Sequence, residues 1–370
     1  MLNVLFIKNL QRILSRIYGF IPFSLTPKYA FPPLHAYFEV TYRCNLRCEM
    51  CHFLQIIEDT EENRGYRNEM PAQEIKKAVL SLPRYAVITF TGGEVFMKND
   101  FLDVLEFTAA RNKTHVITNG TVLTPRIVEK LMEIRSRSLL GPGLFFMGVS
   151  LEGGEERHDR IAAVPGSFRK TTKGLEALIE RRKEAGARYP MVHLTCVIAR
   201  SNIDDLNPLY EYANAVGVDV CNFVLKNPAT YWHVENYDQA EHLARPQPPA
   251  EEIDPGVLRK CLDDLLRKSA SCKTQLRFSP NGITPGEIVR YYSNQSSYKD
   301  YRCYAAWSKV GISAYGDVFS CPHYRSATLR GNGEAFPWNV KGYREFRGLL
   351  KKNKIFPGCL GCCQSEYVGS

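Results

Sequence analysis

From residue 36 onwards, the chain alternates between short apolar runs and longer segments with apolar positions at helical spacing. The short runs are rich in Val, Ile and Phe, which is typical of buried strands. The longer segments repeat apolar residues every three or four positions, which predicts helices with one buried face. The predicted strands are 36–41, 86–91, 114–118, 145–151, 191–198 and 218–224, and the predicted helices include 71–82, 101–111, 125–135, 167–185 and 206–216.

This alternation indicates an α/β fold in which a parallel sheet is covered by outer helices. Six strand–helix units are recognisable, which is fewer than the eight of a closed barrel. In parallel sheets of this kind, ligands bind at the carboxyl ends of the strands. The loops that directly follow the strands are therefore where a functional site is expected.

Three cysteines, Cys44, Cys48 and Cys51, follow the first predicted strand at a C-x3-C-x2-C spacing. Three thiolates on one loop can each bind one iron of a cubane cluster, and the fourth iron then stays open to a substrate or cofactor. A zinc site with His52 as the fourth ligand is the alternative interpretation of the same residues.

At these residues the sequence resembles the radical S-adenosylmethionine (radical SAM) enzymes, and Met50 occupies the family's hydrophobic position beside the third cysteine. The resemblance implies a partial (β/α)6 TIM-like barrel. It also implies a 4Fe-4S cluster whose open iron binds S-adenosylmethionine (SAM). An electron from a donor such as flavodoxin or ferredoxin would cleave SAM to a 5′-deoxyadenosyl radical, which abstracts a substrate hydrogen.

A Gly-Gly-Glu motif, Gly92, Gly93 and Glu94, follows the second predicted strand. Glycines allow a close approach of the backbone, and a neighbouring carboxylate can accept hydrogen bonds from an ammonium group. By itself such a motif is usually a turn. In radical SAM enzymes a similar motif at this place binds the amino group of SAM, so the resemblance implies that role here.

Two further motifs follow the third and fourth predicted strands. Asn119 lies in a Thr-Asn-Gly segment that is either a simple turn or, as in many radical SAM enzymes, close to the cofactor. Ser150 and Glu152 lie where similar enzymes hydrogen-bond the ribose hydroxyls of SAM. His158 follows them, and we expect it to be a structural or capping residue rather than a base.

A second group of cysteines lies in the last hundred residues. Cys303 and Cys321 flank Gly316 in the arrangement C-x12-G-x4-C. A hairpin whose turn contains Gly316 is predicted, and it would bring these two cysteines together. Cys359 and Cys362 form a C-x2-C pair that can complete a four-thiolate site, for which a zinc ribbon is the alternative.

This region resembles the SPASM and shorter twitch extensions of radical SAM enzymes. A full SPASM domain carries seven cysteines, whereas this chain has five here. The resemblance therefore implies a twitch-like domain of a β-hairpin plus a helix, with one auxiliary 4Fe-4S cluster. Its implied ligands are Cys303, Cys321, Cys359 and Cys362, and Cys363 either replaces Cys362 or is spare.

An auxiliary cluster suits an oxidative reaction, because it can accept the electron left on a substrate radical. Sulfatase-maturing SPASM enzymes carry an Asp base directly after the G-x4-C cysteine, but this chain has Pro322 there. No catalytic acid or base is therefore assigned.

The expected substrate is a small molecule of natural-product or sugar type. The alternatives are a ribosomal peptide, modified by crosslinking, epimerisation or oxidation, and a membrane lipid.

Composition narrows the partners and the compartment. The net charge of +9 over 370 residues is modest, so an anionic partner is permitted but not required. A zinc-dependent nucleic-acid binder would leave the Gly-Gly-Glu motif unexplained, and we expect no nucleic acid. Twelve cysteines without a convincing signal peptide indicate metal ligation in the reducing cytoplasm rather than disulfides.

The first residues form a basic amphipathic pattern with Lys8, Arg12 and Arg16 on one side. Such a helix, over residues 1–20, either packs on the barrel or makes a peripheral contact with a membrane surface. The expected divisions of the chain are an N-terminal helix and Pro-rich lead (1–34), the radical SAM barrel (35–226), a linker with a bridging helix (227–272) and the auxiliary-cluster domain (273–370).

Overall fold

The computed structural model describes residues 17–26, 28–58, 68–227, 251–322, 324–330 and 336–369. Twelve strands form two sheets in this part of the chain. The strands are β1 (His35–Glu39), β2 (Val87–Thr91), β3 (Lys113–Thr118), β4 (Gly143–Ser150), β5 (Met191–Ile198), β6 (Val220–Leu225), β7 (Gln275–Ser279), β8 (Tyr301–Arg302), β9 (Lys309–Ile312), β10 (Asp317–Cys321), β11 (Tyr324–Thr328) and β12 (Glu366–Tyr367).

Helices connect most of these strands, and several begin at clear capping residues. The Thr124 hydroxyl accepts a hydrogen bond from Ile127 N, and Asp254 caps Val257 N in the same way; a proline follows each cap. The helices are α1 (Leu54–Glu58), α2 (Ala72–Leu80), α3 (Phe101–Ala109), α4 (Pro125–Glu133), α5 (Glu155–Ala162), α6 (Ser167–Glu184), α7 (Leu206–Val216), α8 (Pro255–Ser269), α9 (Pro285–Tyr292), α10 (Ala305–Ser308) and α11 (Lys341–Asn353).

The large sheet has ten strands in the order β11-β10-β9-β1-β2-β3-β4-β5-β6-β7. Strands β1 to β7 are parallel, in chain order. The predicted partial barrel is therefore confirmed, and all six predicted strands are present. A seventh parallel strand, β7, extends it beyond the prediction. Its five residues contain only two apolar side chains, Leu276 and Phe278, which is a weak signal in sequence.

The C-terminal hairpin continues the same sheet. β9 runs parallel to β1 and pairs His35 with Lys309 and Phe38 with Ile312, while β10 returns antiparallel to β9. The predicted hairpin around Gly316 is thus confirmed. Because β10 runs back along β9, Cys321 lies level with the start of β9 and therefore at the amino end of β1, whereas the first cysteine loop follows the carboxyl end of β1. The division of the chain into domains stays a prediction.

The side chains of strand β1 alternate between the main apolar core on one face of the sheet and a cavity on the other face. Ala36 and Phe38 are fully buried in the main apolar core. Tyr37 and Glu39 point to the opposite face, where both line an internal cavity. Since side chains alternate along a strand, one face of β1 packs in the apolar core while the other lines the cavity.

The N-terminal helical segment, described over 17–25, packs on the C-terminal region. The Phe23 ring lies edge-on to Trp307, with centroids 5.0 Å apart, and the Lys351 ammonium lies 3.8 Å from the Phe23 ring centroid. This agrees with the packing alternative for that segment. Lys8, Arg12 and Arg16 lie outside the described residues. Within the described ranges, no helix is long and apolar enough to span a membrane.

Deleting residues 1–28 is expected to lower the melting temperature, because Trp307 and α11 lose the Phe23 contact. Burying an aromatic side chain of this size contributes about 1.5–3 kcal/mol. Phe23→Ala should reproduce part of this decrease. Leu25→Ala, at a residue that is 77% exposed, is the matched control and should leave the melting temperature nearly unchanged. Equal melting temperatures for these two variants would contradict the packing role. Sedimentation of the wild-type chain with anionic vesicles tests the predicted membrane contact separately.

Candidate active site

The first cysteine loop, 44–51, is held by the carboxyl end of helix α5. Arg47 N donates to Ala162 O at 3.0 Å, and Glu49 N donates to Ile161 O at 3.1 Å. These carbonyls belong to the last turn of the helix, where they have no partner within the helix. Backbone groups of α5 therefore help to hold the loop in place, and the Arg47 guanidinium adds a hydrogen bond to Cys44 O at 2.8 Å.

The three thiols of this loop are neighbours. Burial raises the pKa of Cys48, and the Glu152 carboxylate and the thiols of Cys51 and Cys44 raise it further. Burial likewise raises the pKa of Cys51 to about 11, and Cys44 contributes. A bound metal cation reverses this effect because it stabilises thiolates. The donor set fits a cluster site, and Met50 lies half-buried in the same loop.

All twelve cysteines are free thiols. Within the described part of the chain, no three His, Cys, Asp or Glu side chains converge closely enough to hold a single metal ion.

The two glycines of the Gly-Gly-Glu motif let the loop after β2 lie directly on the backbone that leads into Cys44. A Cβ atom on Gly92 would lie 2.3 Å from Thr41 O, and one on Gly93 would lie 2.3 Å from Arg43 O. Gly92 also has a φ of +131°. Gly93 N donates to Thr41 O at 2.8 Å, and Glu94 N donates to Arg43 O at 2.7 Å. This motif is therefore required by the local packing.

Glu94 is fully buried and connects the ends of β2 and β3. Its carboxylate accepts hydrogen bonds from Thr118 Oγ1 at 2.8 Å, Asn119 N at 2.7 Å and Phe96 N at 3.2 Å. Burial raises its pKa to about 7, although these hydrogen bonds act in the opposite direction. A carboxylate has about four acceptor positions, so about one is left for a cofactor group.

Asn119 connects the third strand to the first cysteine loop. Its amide donates to Asn45 Oδ1 at 2.9 Å and lies 3.9 Å from Cys44 Sγ. The Asn45 amide in turn donates to Thr121 Oγ1 at 2.8 Å. Asn45 and Thr121 were not expected from the sequence to have this role. The only available signal was the position of Asn45 directly after Cys44.

Glu152 follows β4 and is held by the neighbouring strand. Its carboxylate accepts a hydrogen bond from Val197 N at 2.8 Å, and burial raises its pKa to about 7. Its own N–H donates to Nδ1 of the buried His158 at 3.1 Å, which is the structural type of contact expected of that histidine. Burial lowers the His158 pKa to about 4. Ser150 lies half-buried at the end of β4.

The second cysteine group comes together from three parts of the chain. Burial raises the pKa of Cys359, and the thiols of Cys321, Cys362 and Cys303 raise it further. Those four are the residues that the sequence indicates as auxiliary ligands. Cys363 is exposed. Its hydrogen bond with the neighbouring Cys362 lowers the pKa of the Cys362 thiol to about 7.

One cavity of about 310 Å³ extends from the segment that directly follows the first cysteine loop to the second cysteine group. At one side it is lined by His52 and Phe53, which directly follow Cys51, and at the other by all five C-terminal cysteines. Its further polar lining residues include Tyr37 and Glu39 of β1 and Lys309 of β9. A substrate in this cavity would therefore contact the second cysteine group and the two residues that follow Cys51.

Comparison with known families decides the class of this protein. Residues 38–213 match the profile described as the radical SAM superfamily. This segment is a radical SAM domain. The cofactors of the chain are accordingly SAM and a 4Fe-4S cluster, with an auxiliary 4Fe-4S cluster as in SPASM-type relatives. Members of the superfamily are enzymes. The C-terminal region is of the SPASM/twitch type, as its cysteines predict.

Two curated relatives align over most of this radical SAM chain. The tungsten-containing aldehyde ferredoxin oxidoreductase cofactor-modifying protein of Pyrococcus furiosus is 26% identical over 340 residues, covering 89% of this chain and 86% of that protein. The antilisterial bacteriocin subtilosin biosynthesis protein AlbA of Bacillus subtilis is 24% identical over 358 residues, covering 92% of this chain and 69% of AlbA.

Solved radical SAM structures share the fold. SuiB of Streptococcus suis, bound to the precursor peptide SuiA, superposes with a TM-score of 0.62 at 16% identity, covering 87% of this chain and 69% of SuiB. The enzyme anSMEcpe with bound AdoMet and a peptide gives a TM-score of 0.54 at 16% identity, covering 90% of this chain and 88% of that chain.

Proposed function

We propose that this radical SAM enzyme oxidises a substrate held in the cavity between its two cysteine groups. One observation carries the proposal. A single cavity of about 310 Å³ is lined at once by Phe53, which lies two residues after Cys51, and by Cys321 and Cys362. When bound, SAM and its cluster supply the radical that abstracts a substrate hydrogen. The first-loop ligands are Cys44, Cys48 and Cys51, and the auxiliary ligands are Cys303, Cys321, Cys359 and Cys362.

The remaining site residues bind and orient SAM. Glu94 offers a buried carboxylate to the SAM ammonium group. Asn119 links it to the cysteine loop, because Asn119 donates hydrogen bonds both to Glu94 and to Asn45. Glu152 and Ser150, at the end of β4, accept from the ribose hydroxyls. All of these groups follow the carboxyl ends of parallel strands, which is where such folds bind their ligands. A flavodoxin- or ferredoxin-type protein in the cytoplasm delivers the electron.

We propose a peptide as the substrate. AlbA is named for bacteriocin biosynthesis and aligns over 92% of this chain, and both SuiB and anSMEcpe are solved with peptides. A cavity of about 310 Å³ is at the lower end of ligand pockets, so it suits one side chain of an otherwise external peptide. This choice replaces the small molecule that the sequence favoured.

A small molecule is the second candidate, because the relative from Pyrococcus furiosus is named for modifying a tungsten enzyme's cofactor and aligns over 89% of this chain. Anaerobic protein would be incubated with SAM, dithionite and synthetic peptides encoded by short reading frames beside its gene. We expect release of 5′-deoxyadenosine and a mass change of one peptide. Turnover of a small molecule, with every peptide unchanged, would contradict the peptide proposal.

Replacing Glu94 by Gln is expected to weaken SAM binding roughly tenfold or more. The charge that faces the SAM ammonium group is lost, and a charge-assisted hydrogen bond contributes about 1.5–3 kcal/mol. Calorimetry with reconstituted protein of unchanged iron content measures the effect. Glu156→Gln, on the exposed face of α5, is the control. Wild-type affinity in Glu94→Gln would remove Glu94 from the SAM site.

A further inference from the structure

Lys309 is a cationic side chain placed beside the second cysteine group. It begins β9 and pairs in register with His35 of β1. It lines the same cavity as Cys303, Cys362 and Cys363 and interacts electrostatically with all three. No part of the SAM site described above makes use of it.

The ammonium group is held in this position. Its Nζ donates a hydrogen bond to Gln364 Oε1 at 2.7 Å, and Gln364 directly follows the Cys362–Cys363 pair in sequence. This partner is a neutral amide, so it orients the ammonium group without cancelling its charge. Lys309 is half-buried, and water and salt therefore screen its charge less than that of an exposed lysine.

We propose that Lys309 raises the reduction potential of the auxiliary cluster and so makes it the electron acceptor of the reaction. This inference rests on the proposed function, in which Cys303, Cys321, Cys359 and Cys362 hold that cluster. Reduction adds one negative charge to the cluster, and a fixed neighbouring cation stabilises this charge. Net charge and hydrogen bonding around the sulfurs are the levers by which a protein sets cluster potentials.

Lys309 is a positioning residue in this scheme and does not react. Abstraction of a hydrogen atom leaves one unpaired electron on the substrate, and oxidation then transfers that electron to the auxiliary cluster while the substrate loses a proton. A higher cluster potential favours this transfer. The lysine contributes by its charge alone, so arginine at the same position should serve.

The test uses the full chain with Cys44, Cys48 and Cys51 replaced by Ala, so that only the auxiliary cluster is present. Its midpoint potential is measured by anaerobic redox titration followed by electron paramagnetic resonance. Lys309→Met should shift the potential to a more negative value, and Lys309→Arg should stay close to the parent. Lys341→Met, at an exposed lysine of α11, is the matched control and should not change the potential.

An unchanged potential in Lys309→Met, with the iron retained, would overturn the inference. If Lys309→Met does not retain iron, the potential of Gln364→Leu tests the inference instead. This variant keeps the positive charge of Lys309 but removes the hydrogen bond that holds its ammonium group beside the cluster ligands. A negative shift in Gln364→Leu supports the inference, and an unchanged potential contradicts it. Absence of any cluster from the folded parent variant would contradict the proposed auxiliary site itself, which is a different result.

Discussion

Replacing Cys44, Cys48 and Cys51 together by Ala is expected to reduce the iron content from about eight to about four atoms per chain, the difference of one cubane, and to abolish SAM cleavage. All three thiols lie on the loop after β1, whereas the second cysteine group comes from the segment before α10, from β10 and from the C-terminal tail. The auxiliary cluster should therefore remain.

Iron analysis of anaerobically reconstituted protein and chromatography of 5′-deoxyadenosine measure these two effects. Cys272→Ala is the control, since Cys272 is half-buried and has no ligand-like spacing to another cysteine. It should retain all of the iron. Loss of all iron from the triple variant, with a folded circular dichroism spectrum, would contradict two separate sites.

Gly93→Ala is expected to destabilise the fold by about 3 kcal/mol or more and to prevent SAM binding. The added Cβ would lie 2.3 Å from Arg43 O and 2.9 Å from Tyr42 O. Both are backbone atoms, which cannot move aside as the end of a flexible side chain can. Relief of the clash must break the bond from Glu94 N to Arg43 O, and effects of this size are typical of severe overpacking.

Thermal unfolding and SAM calorimetry measure this second effect. Gly286→Ala is the matched control, because the nearest atom to its Cβ would be Thr284 Oγ1 at 3.9 Å. Such a substitution should change stability by no more than about 0.5 kcal/mol. A Gly93→Ala variant with the wild-type melting temperature and SAM affinity would show that the loops after β1 and β2 do not depend on this close contact.

The sequence alone predicted the elements whose signals are local. The apolar run 191–198 coincides with β5, and the amphipathic segment 206–216 coincides with α7, because hydrophobic periodicity reflects which face of each element is buried. The C-x3-C-x2-C spacing placed three thiols on one loop because the cysteines lie within eight consecutive residues. The hairpin around Gly316 followed from a turn flanked by apolar residues.

Only the tertiary structure decided the contacts between residues far apart in sequence. Pairing of β9 with β1 brings Lys309 beside His35, and no pattern near residue 309 indicates that neighbour. Glu94 was predicted to face SAM, yet its three protein partners depend on how β2 and β3 align. Periodicity shows which face of an element is buried but not which element covers it. The cavity depends on which elements pack against each other, and periodicity does not reveal this.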